Sequence, residues 1–312
     1  NFIGHKGAIG LSKNKTWTNL VTLALHNNGL REGGVIALAK NKTWTNLRTL
    51  VLYKNNIGDK GAQALSQNTT WTSLLILNLS TNWISDEGAV ALGRNEAWTK
   101  LQFLNLGDNK IRRKGATGLG SNMAWTDLRM LNLQKNMIGP EGMEGLSQNT
   151  SWMRLEMLNL GHNSIGPQGA SALASNTTWR NLQVLTLEYN LIKAAGAAAL
   201  SKNSDWSQLI TLDLSENDIG PEGAAHLSKN TSWENLQKLN LYFNSIKEEG
   251  VEELAKNKTW TKLKVIILYS NGKKWEEAEG LSKSTWCPER FGVENVRKLT
   301  QNPHWPNLQI VS

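Results

Sequence analysis

A tryptophan returns every 27 residues along this chain: Trp17, Trp44, Trp71, Trp98, Trp125, Trp152, Trp179, Trp206, Trp233 and Trp260. Its surroundings return with it, so that NKTWTNLRTLVLYKNNIGDKG at 41–61 reappears as NTTWTSLLILNLSTNWISDEG at 68–88. A unit this short cannot bury its own apolar face and must stack on copies of itself, which makes a solenoid. The chain has 312 residues, a length that otherwise accommodates two ordinary domains. The unbroken period predicts one elongated array instead.

Each unit carries Leu-x-x-Leu-x-Leu-x-x-Asn, as in Leu47, Leu50, Leu52 and Asn55, or Leu155, Leu158, Leu160 and Asn163. Alternation around the second and third Leu predicts a short strand with one apolar face. The Asn of the motif recurs in every unit from Asn28 to Asn271. Where the chain leaves the strand, backbone groups need partners, and an amide side chain offers both a donor and acceptors. This column is therefore expected to be a hydrogen-bonded ladder. A helix follows, with Pro140, Pro167 and Pro221 at its start, where proline fits. Its Gly and Ala columns are expected to bring the helix backbone close to the sheet. A second Asn column, including Asn41, Asn149 and Asn257, ends it, and a left-handed conformation is expected there. Strands sit ~4.8 Å apart whereas helices need ~10 Å. Stacking one of each per unit bends the array, with the strands on the inside. The Trp column lies between helix end and strand start and is expected to be buried as a wedge.

Residues 1–285 make about ten such units, beginning in mid-unit; residue 1 is not expected to be a natural N-terminus. In the tail the helix-ending Asn is replaced by Ser284 and reappears at Asn302, as if the unit were nine residues short and lacked most of a strand. Residues 286–312 are expected to form a degenerate C-terminal cap, since terminal units shield the last core layer.

The pattern Leu-x-x-Leu-x-Leu-x-x-Asn-x-Ile-Gly-x-x-Gly-Ala-x-x-Leu resembles the ribonuclease-inhibitor type of leucine-rich repeat, over residues 1 to about 285. The resemblance implies an α/β horseshoe with a concave parallel sheet, convex helices and a partner held on the concave face. Similar repeats occur in the ribonuclease inhibitor, the sensor regions of NOD-like receptors, the Ran GTPase-activating protein and effectors of intracellular bacteria. The ribonuclease inhibitor itself is acidic and Cys-rich. This chain has one Cys and a net charge of +8, so ribonuclease binding is not carried over.

No P-loop, nucleophile elbow, paired cysteine or His-x-x-x-His occurs, and the five His are dispersed among units. Neither catalysis, nor a cofactor, nor a metal site is expected. Much of the positive charge falls in the column Lys13, Lys40, Arg94, Lys202, Lys229, Lys256 and Lys283, at helix C-termini, where the helix dipole favours cations. Nucleic acid is not an expected partner, and no apolar run is long enough to span a membrane. Seven of the eight Asn-x-Ser/Thr sequons are the helix-ending Asn itself, and only Asn78 stands elsewhere. The single Cys287 suits a reducing compartment, so a cytoplasmic location is expected, or a host cytosol for a secreted effector.

The inner columns carry the one pattern that packing does not explain. All four tyrosines (Tyr53, Tyr189, Tyr242 and Tyr269) fall in the two columns after the third Leu, and Phe103 and Phe243 also fall in inner columns. Glu188, Asp213, Glu216, Lys238 and Lys264 lie around them. The Asn residues between the second and third Leu, such as Asn132, read as repeat background. Large rings on a free face are interface residues. The expectation is a monomeric, non-catalytic module that binds a protein through Tyr53, Phe103, Glu188, Tyr189, Asp213, Glu216, Tyr242, Phe243 and Tyr269. The alternatives are a regulator of a partner enzyme such as a small GTPase, which needs a charged cluster on one rim, and a bacterial effector acting by binding a host protein.

Overall fold

The computed structural model describes residues 1–271 and 293–311. Eleven three-residue strands are described: β1 (Thr22–Ala24), β2 (Thr49–Val51), β3 (Ile76–Asn78), β4 (Phe103–Asn105), β5 (Met130–Asn132), β6 (Met157–Asn159), β7 (Val184–Thr186), β8 (Thr211–Asp213), β9 (Lys238–Asn240), β10 (Val265–Ile267) and β11 (Gln309–Val311). They form one sheet in chain order, and each pairs in parallel with the next. The helices are α1 (Gly4–Ser12), α2 (Arg31–Ala39), α3 (Gly58–Ser66), α4 (Asp86–Gly93), α5 (Arg113–Gly120), α6 (Gly139–Ser147), α7 (Gly166–Ala174), α8 (Lys193–Leu200), α9 (Gly220–Leu227), α10 (Lys247–Leu254) and α11 (Val293–Thr300). Helices of about two turns are unstable alone in water, so their stability comes from stacking on the units either side. The result is an α/β solenoid of stacked strand–helix units.

One apolar layer runs the length of the array. In a single unit Trp44, Leu47, Leu50, Leu52, Ile57, Ala62 and Leu65 are all buried. The tryptophans from Trp44 to Trp260 are fully enclosed, as expected, and Trp152 stacks on Trp179 with ring centres 6.0 Å apart. Trp17 is 42% exposed, because no described unit packs on its N-terminal side.

The strand-ending Asn ladder forms as expected. Asn190 Nδ2 donates to Leu160 O at 2.8 Å, Leu187 O at 3.0 Å and Glu188 O at 3.1 Å. Its Oδ1 accepts from the N–H of Asn163 at 3.0 Å and of Ile165 at 3.3 Å. The helix-ending Asn column behaves differently from expectation. None of its residues has a positive φ. Asn149 instead donates Nδ2 to Gly120 O at 2.9 Å and Asn122 O at 2.7 Å in the preceding unit, while its Oδ1 accepts from Ser151 N at 2.9 Å and Trp152 N at 3.0 Å. It is a second ladder, and it seats the tryptophan. This also accounts for most of the sequons: Asn149 and its equivalents from Asn41 to Asn257 are buried and engaged, while Asn14 in the first unit is only half-buried.

The glycine column serves a contact other than the one expected. A Cβ at Gly196 would stand 2.5 Å from Ile192 Cγ2, 3.0 Å from Ala170 Cβ and 3.2 Å from Pro167 Cα. The close approach is thus to the unit's own isoleucine and to the preceding helix, not to the sheet.

The tail also departs from the reading of a shortened unit. A strand is present, and Val265 of β10 faces Gln309 of β11. Asn302 Nδ2 donates to Asn257 O at 3.1 Å across 45 residues, where the other rungs span 27. Trp305 stacks on Trp260, ring centres 6.3 Å apart. The unit is stretched rather than truncated. Ladder and wedge contacts fix positions in space, while the length of chain between them costs little extra entropy. Ser284, Cys287, Pro288 and the expected boundary at 285/286 lie outside the described residues.

Candidate functional site

Strand geometry puts alternate residues on opposite faces. Thr49 and Val51 flank the buried Leu50 on the inner face, and their equivalents line it in every unit. Tyr53, Tyr242 and Tyr269 continue this face one residue beyond their buried leucines and are half-buried. Phe103 and Asp213 are strand residues of the same face, also half-buried.

Tyr242 and Tyr269 stack, with ring centres 5.3 Å apart and planes 15° apart. Phe243 leans on Tyr242 with centres 5.9 Å apart. The expectation of three freely exposed rings is therefore modified: the two tyrosines shield one another, and Phe243 remains 47% exposed. Two further stacks pair a histidine with a tyrosine of the next unit, His26 on Tyr53 at 4.6 Å and His162 on Tyr189 at 4.8 Å. Sequence reasoning missed these histidines, although both precede their tyrosines by 27 residues, a spacing that brings side chains together across adjacent strands. The structure thus separates the candidate residues into Tyr53 with His26, Phe103 in β4, Tyr189 with Glu188, and the C-terminal group of Tyr242, Phe243 and Tyr269.

Tyr189, Glu216 and Phe243 are not on the strand face. Each has a positive φ (52°, 56° and 50°), as do Lys54 and Asp108 in the same column. The left-handed turn carries these side chains to the rim where the chain leaves the sheet. Its equivalents Asn27 and Asp108 are residue types that tolerate such a turn, and they are the signal by which the sequence could have marked it. Exposed Trp83 and Leu191 share the rim, again with positive φ.

Glu188 lies 3.4 Å from His162 Nε2. Asp213 accepts from the N–H of Ser215 at 3.0 Å and, through its other oxygen, from Asn240 Nδ2 at 2.9 Å. The Asn residues of the same column close strand ends in the same way, as when Asn132 Oδ1 accepts from Gln134 N at 2.9 Å. One charged cluster stands out that the sequence reading did not single out. Arg112, Arg113 and Lys114 are exposed at the start of α5, and Lys110 lies over the Trp83 ring at 5.4 Å.

Burial, then the charge of Glu216 and the nearby Tyr269, raises the Tyr242 phenol above its ordinary value of 10.0, while a hydrogen bond with Ser270 opposes the rise. In a spectrophotometric titration one tyrosine is expected to ionise later than a free phenol, and Glu216→Gln to bring it part of the way back. A raised folded value means that the native state holds this proton more tightly than the unfolded one. The associated stability is complete below pH 10.0 and is lost as pH rises through the folded value. An unchanged titration in Glu216→Gln would assign the shift to burial and Tyr269.

Among the described residues no group of three or more His, Cys, Asp or Glu is placed to hold a metal ion, and no helix is long and apolar enough to cross a membrane. A family profile described as Leucine Rich repeat matches residues 45–66, 72–93, 99–120, 126–147, 155–174, 208–228 and 234–255. No curated protein matches the chain.

Proposed function

The chain is a leucine-rich repeat protein, and from that premise we propose that it is a non-catalytic recognition module holding a protein partner on the concave face, with its strongest contacts at Tyr242, Phe243 and Tyr269. Repeats of this kind are in general protein-interaction modules. The observation that carries the placement is the stacked Tyr242–Tyr269 pair with Phe243 against it, on a face that the core does not use. Stacking pre-orders the rings before a partner arrives, so little side-chain entropy remains to be lost on binding. Protein is favoured over nucleic acid because Glu188, Asp213 and Glu216 lie on or beside this face and would repel phosphates. The ribonuclease-inhibitor type of the repeat, a cytoplasmic or host-cytosolic location and a monomeric state belong to the same proposal.

The test begins by retrieving the partner with immobilised chain from the cells that make it. Tyr242→Ala combined with Tyr269→Ala is then expected to leave thermal melting unchanged and to weaken binding by ~2 kcal/mol or more. Unchanged affinity in calorimetry sinks the assignment and moves the search to the helical side.

A second reading, regulation of a partner enzyme such as a small GTPase, is favoured by the exposed cluster of Lys110, Arg112, Arg113 and Lys114. It predicts that a purified GTPase turns over differently with the chain than with an Arg112→Ala, Arg113→Ala variant. Equal rates dispose of it.

A further inference from the structure

We propose that the partner segment seated on the central strands is an amphipathic α-helix lying across β3 to β7, with its N-terminus toward β8 and its C-terminus toward β2. The proposal rests on the concave-face reading above and adds the shape, polarity and direction of what binds there.

The first inner column of five consecutive strands is apolar: Ile76, Phe103, Met130, Met157 and Val184 are mutually in register and none is fully buried. The same column holds Thr49 on one side and Thr211 on the other, so the apolar row has ends. Beside it runs a polar row. Asn78, Asn105 and Asn132 each use Oδ1 to close their own strand, and their Nδ2 groups have no acceptor among the described residues, whereas Asn159 Nδ2 donates to Gln134 Oε1 at 3.4 Å and the row ends at Thr186. The face is therefore an apolar stripe with a polar row beside it, which offers amide donors over β3 to β5. An amphipathic helix presents the complementary surface, an apolar stripe with polar side chains beside it.

Spacing selects the helix over an extended segment. Neighbouring strands are ~4.8 Å apart, and successive turns of a helix rise ~5.4 Å, so each turn meets about one strand. Over the four strand intervals the mismatch grows to only ~2 Å, which long flexible side chains absorb. An extended segment crossing the strands would bring same-side residues every ~6.8 Å and fall out of step after two strands. Nor can it add to the sheet, because β3 to β7 are paired on both sides. The bulkiest side chains, Phe103, Met130 and Met157, stand in the middle of the row, where a straight rod laid in a concave face leaves the widest gap. Unbranched methionines suit a groove that takes an apolar helix face.

Charge fixes the direction. Within β3 to β7 the two strand columns carry no charged residue, and the columns flanking them carry charges of both signs, Arg129 with Glu156 and Asp108 with Lys135, which leave no net charge there apart from Glu188 past the end of β7. At β8, just beyond β7, lie Asp213 and Glu216, with Lys238 one strand further on; at β2 lie Arg48 and Lys54, both exposed and with no ion pair among the described residues. A helix carries roughly half a positive charge at its N-terminus and half a negative charge at its C-terminus. The acidic end of the groove accepts the first and the basic end the second. The row from β3 to β7 spans ~19 Å, which a helix covers in about 13 residues.

The experiment selects peptides of about 20 residues, enough for five turns, from a random displayed library against the intact chain. Their landing site is read from ¹³C-labelled methionine methyls. Of the six methionines, Met130 and Met157 lie on the stripe, while Met123 and Met153 are exposed elsewhere. Expected winners place apolar residues at i, i+3 or i+4 and i+7, and move the Met130 and Met157 methyls but not those of Met123 and Met153. They lose at least ~10-fold in affinity to Met130→Glu with Met157→Glu. Should that variant melt early, Met130→Gln with Met157→Gln replaces it. Versions with Lys at the N-terminus and Glu at the C-terminus are expected to bind several-fold tighter than the reverse at low salt. Winners without helical spacing, an absence of winners, or equal binding by both charge versions overturns the inference. Peptides that ignore the Met variants but are lost in the Tyr242, Tyr269 double variant remove the helix and leave concave recognition standing. Peptides that move only Met123 or Met153 remove both.

Discussion

Trp152→Ala lowers the unfolding free energy by ~3–5 kcal/mol, the range for deleting a large buried aromatic side chain. Trp152 is fully enclosed, stacks on Trp179 and sits between one helix and the start of the next strand. Its indole N–H has no hydrogen-bond partner among the described residues, so the loss is one of packing rather than of a hydrogen bond. Leu155 and Leu182 cannot close the gap, because each is held in the turn before its strand, with Leu155 N–H donating to Trp152 O at 3.1 Å and Leu182 N–H to Trp179 O at 3.2 Å. The damage spreads by contact, and contacts in this fold reach only neighbouring units. Hydrogen exchange should therefore quicken in the units of Trp125, Trp152 and Trp179 before it does so elsewhere. Trp17→Ala is the control: its ring is already 42% exposed, and its removal should cost much less. Denaturant melts showing no difference between the two variants would refute the wedge.

Asn190→Leu costs at least ~3 kcal/mol despite a nearly conserved volume, because leaving a buried polar group unpaired costs ~1–3 kcal/mol each time. The side chain serves three carbonyls, those of Leu160, Leu187 and Glu188, and two N–H groups, those of Asn163 and Ile165. No water reaches the site to replace it, as Asn190 is fully buried. The same substitution at Asn132 touches one strand-closing bond and a half-exposed side chain, so it should cost below ~1.5 kcal/mol. Thermal melts of the two variants separate a structural ladder from a surface one. Equal losses would mean that the strand-ending Asn column has no special place in the fold.

Both expectations concern positions that the amino-acid sequence reveals without coordinates. A residue that recurs at Trp44, Trp71 and Trp98, or at Asn55, Asn82 and Asn109, recurs because the same contact is made to the unit before and the unit after. A contact repeated in translation leaves a period in the chain, and the period is visible directly. Strand, helix and curvature follow from the spacing of leucines and from the different widths of strands and helices.

What the period cannot carry is anything that depends on a backbone angle or on which residues stacking brings level. Tyr189, Glu216 and Phe243 read as face residues by their place after the third leucine, but a left-handed turn moves them to the rim. The helix-ending Asn reads as a conformational stop, yet Asn149 works through its side chain, on carbonyls of the preceding unit. The last unit reads as truncated because position along the chain counts every residue, whereas Asn302 and Trp305 find Asn257 and Trp260 in space whatever lies between. Phe103 alone reads as a single inner aromatic. Only with β3 to β7 in register does it become one member of a row with Ile76, Met130, Met157 and Val184. The sequence by itself determined the elements that every unit shares, since those are selected by identical neighbours. The tertiary structure decided which inner-face side chains become neighbours, since they differ from unit to unit and meet only when the units stack.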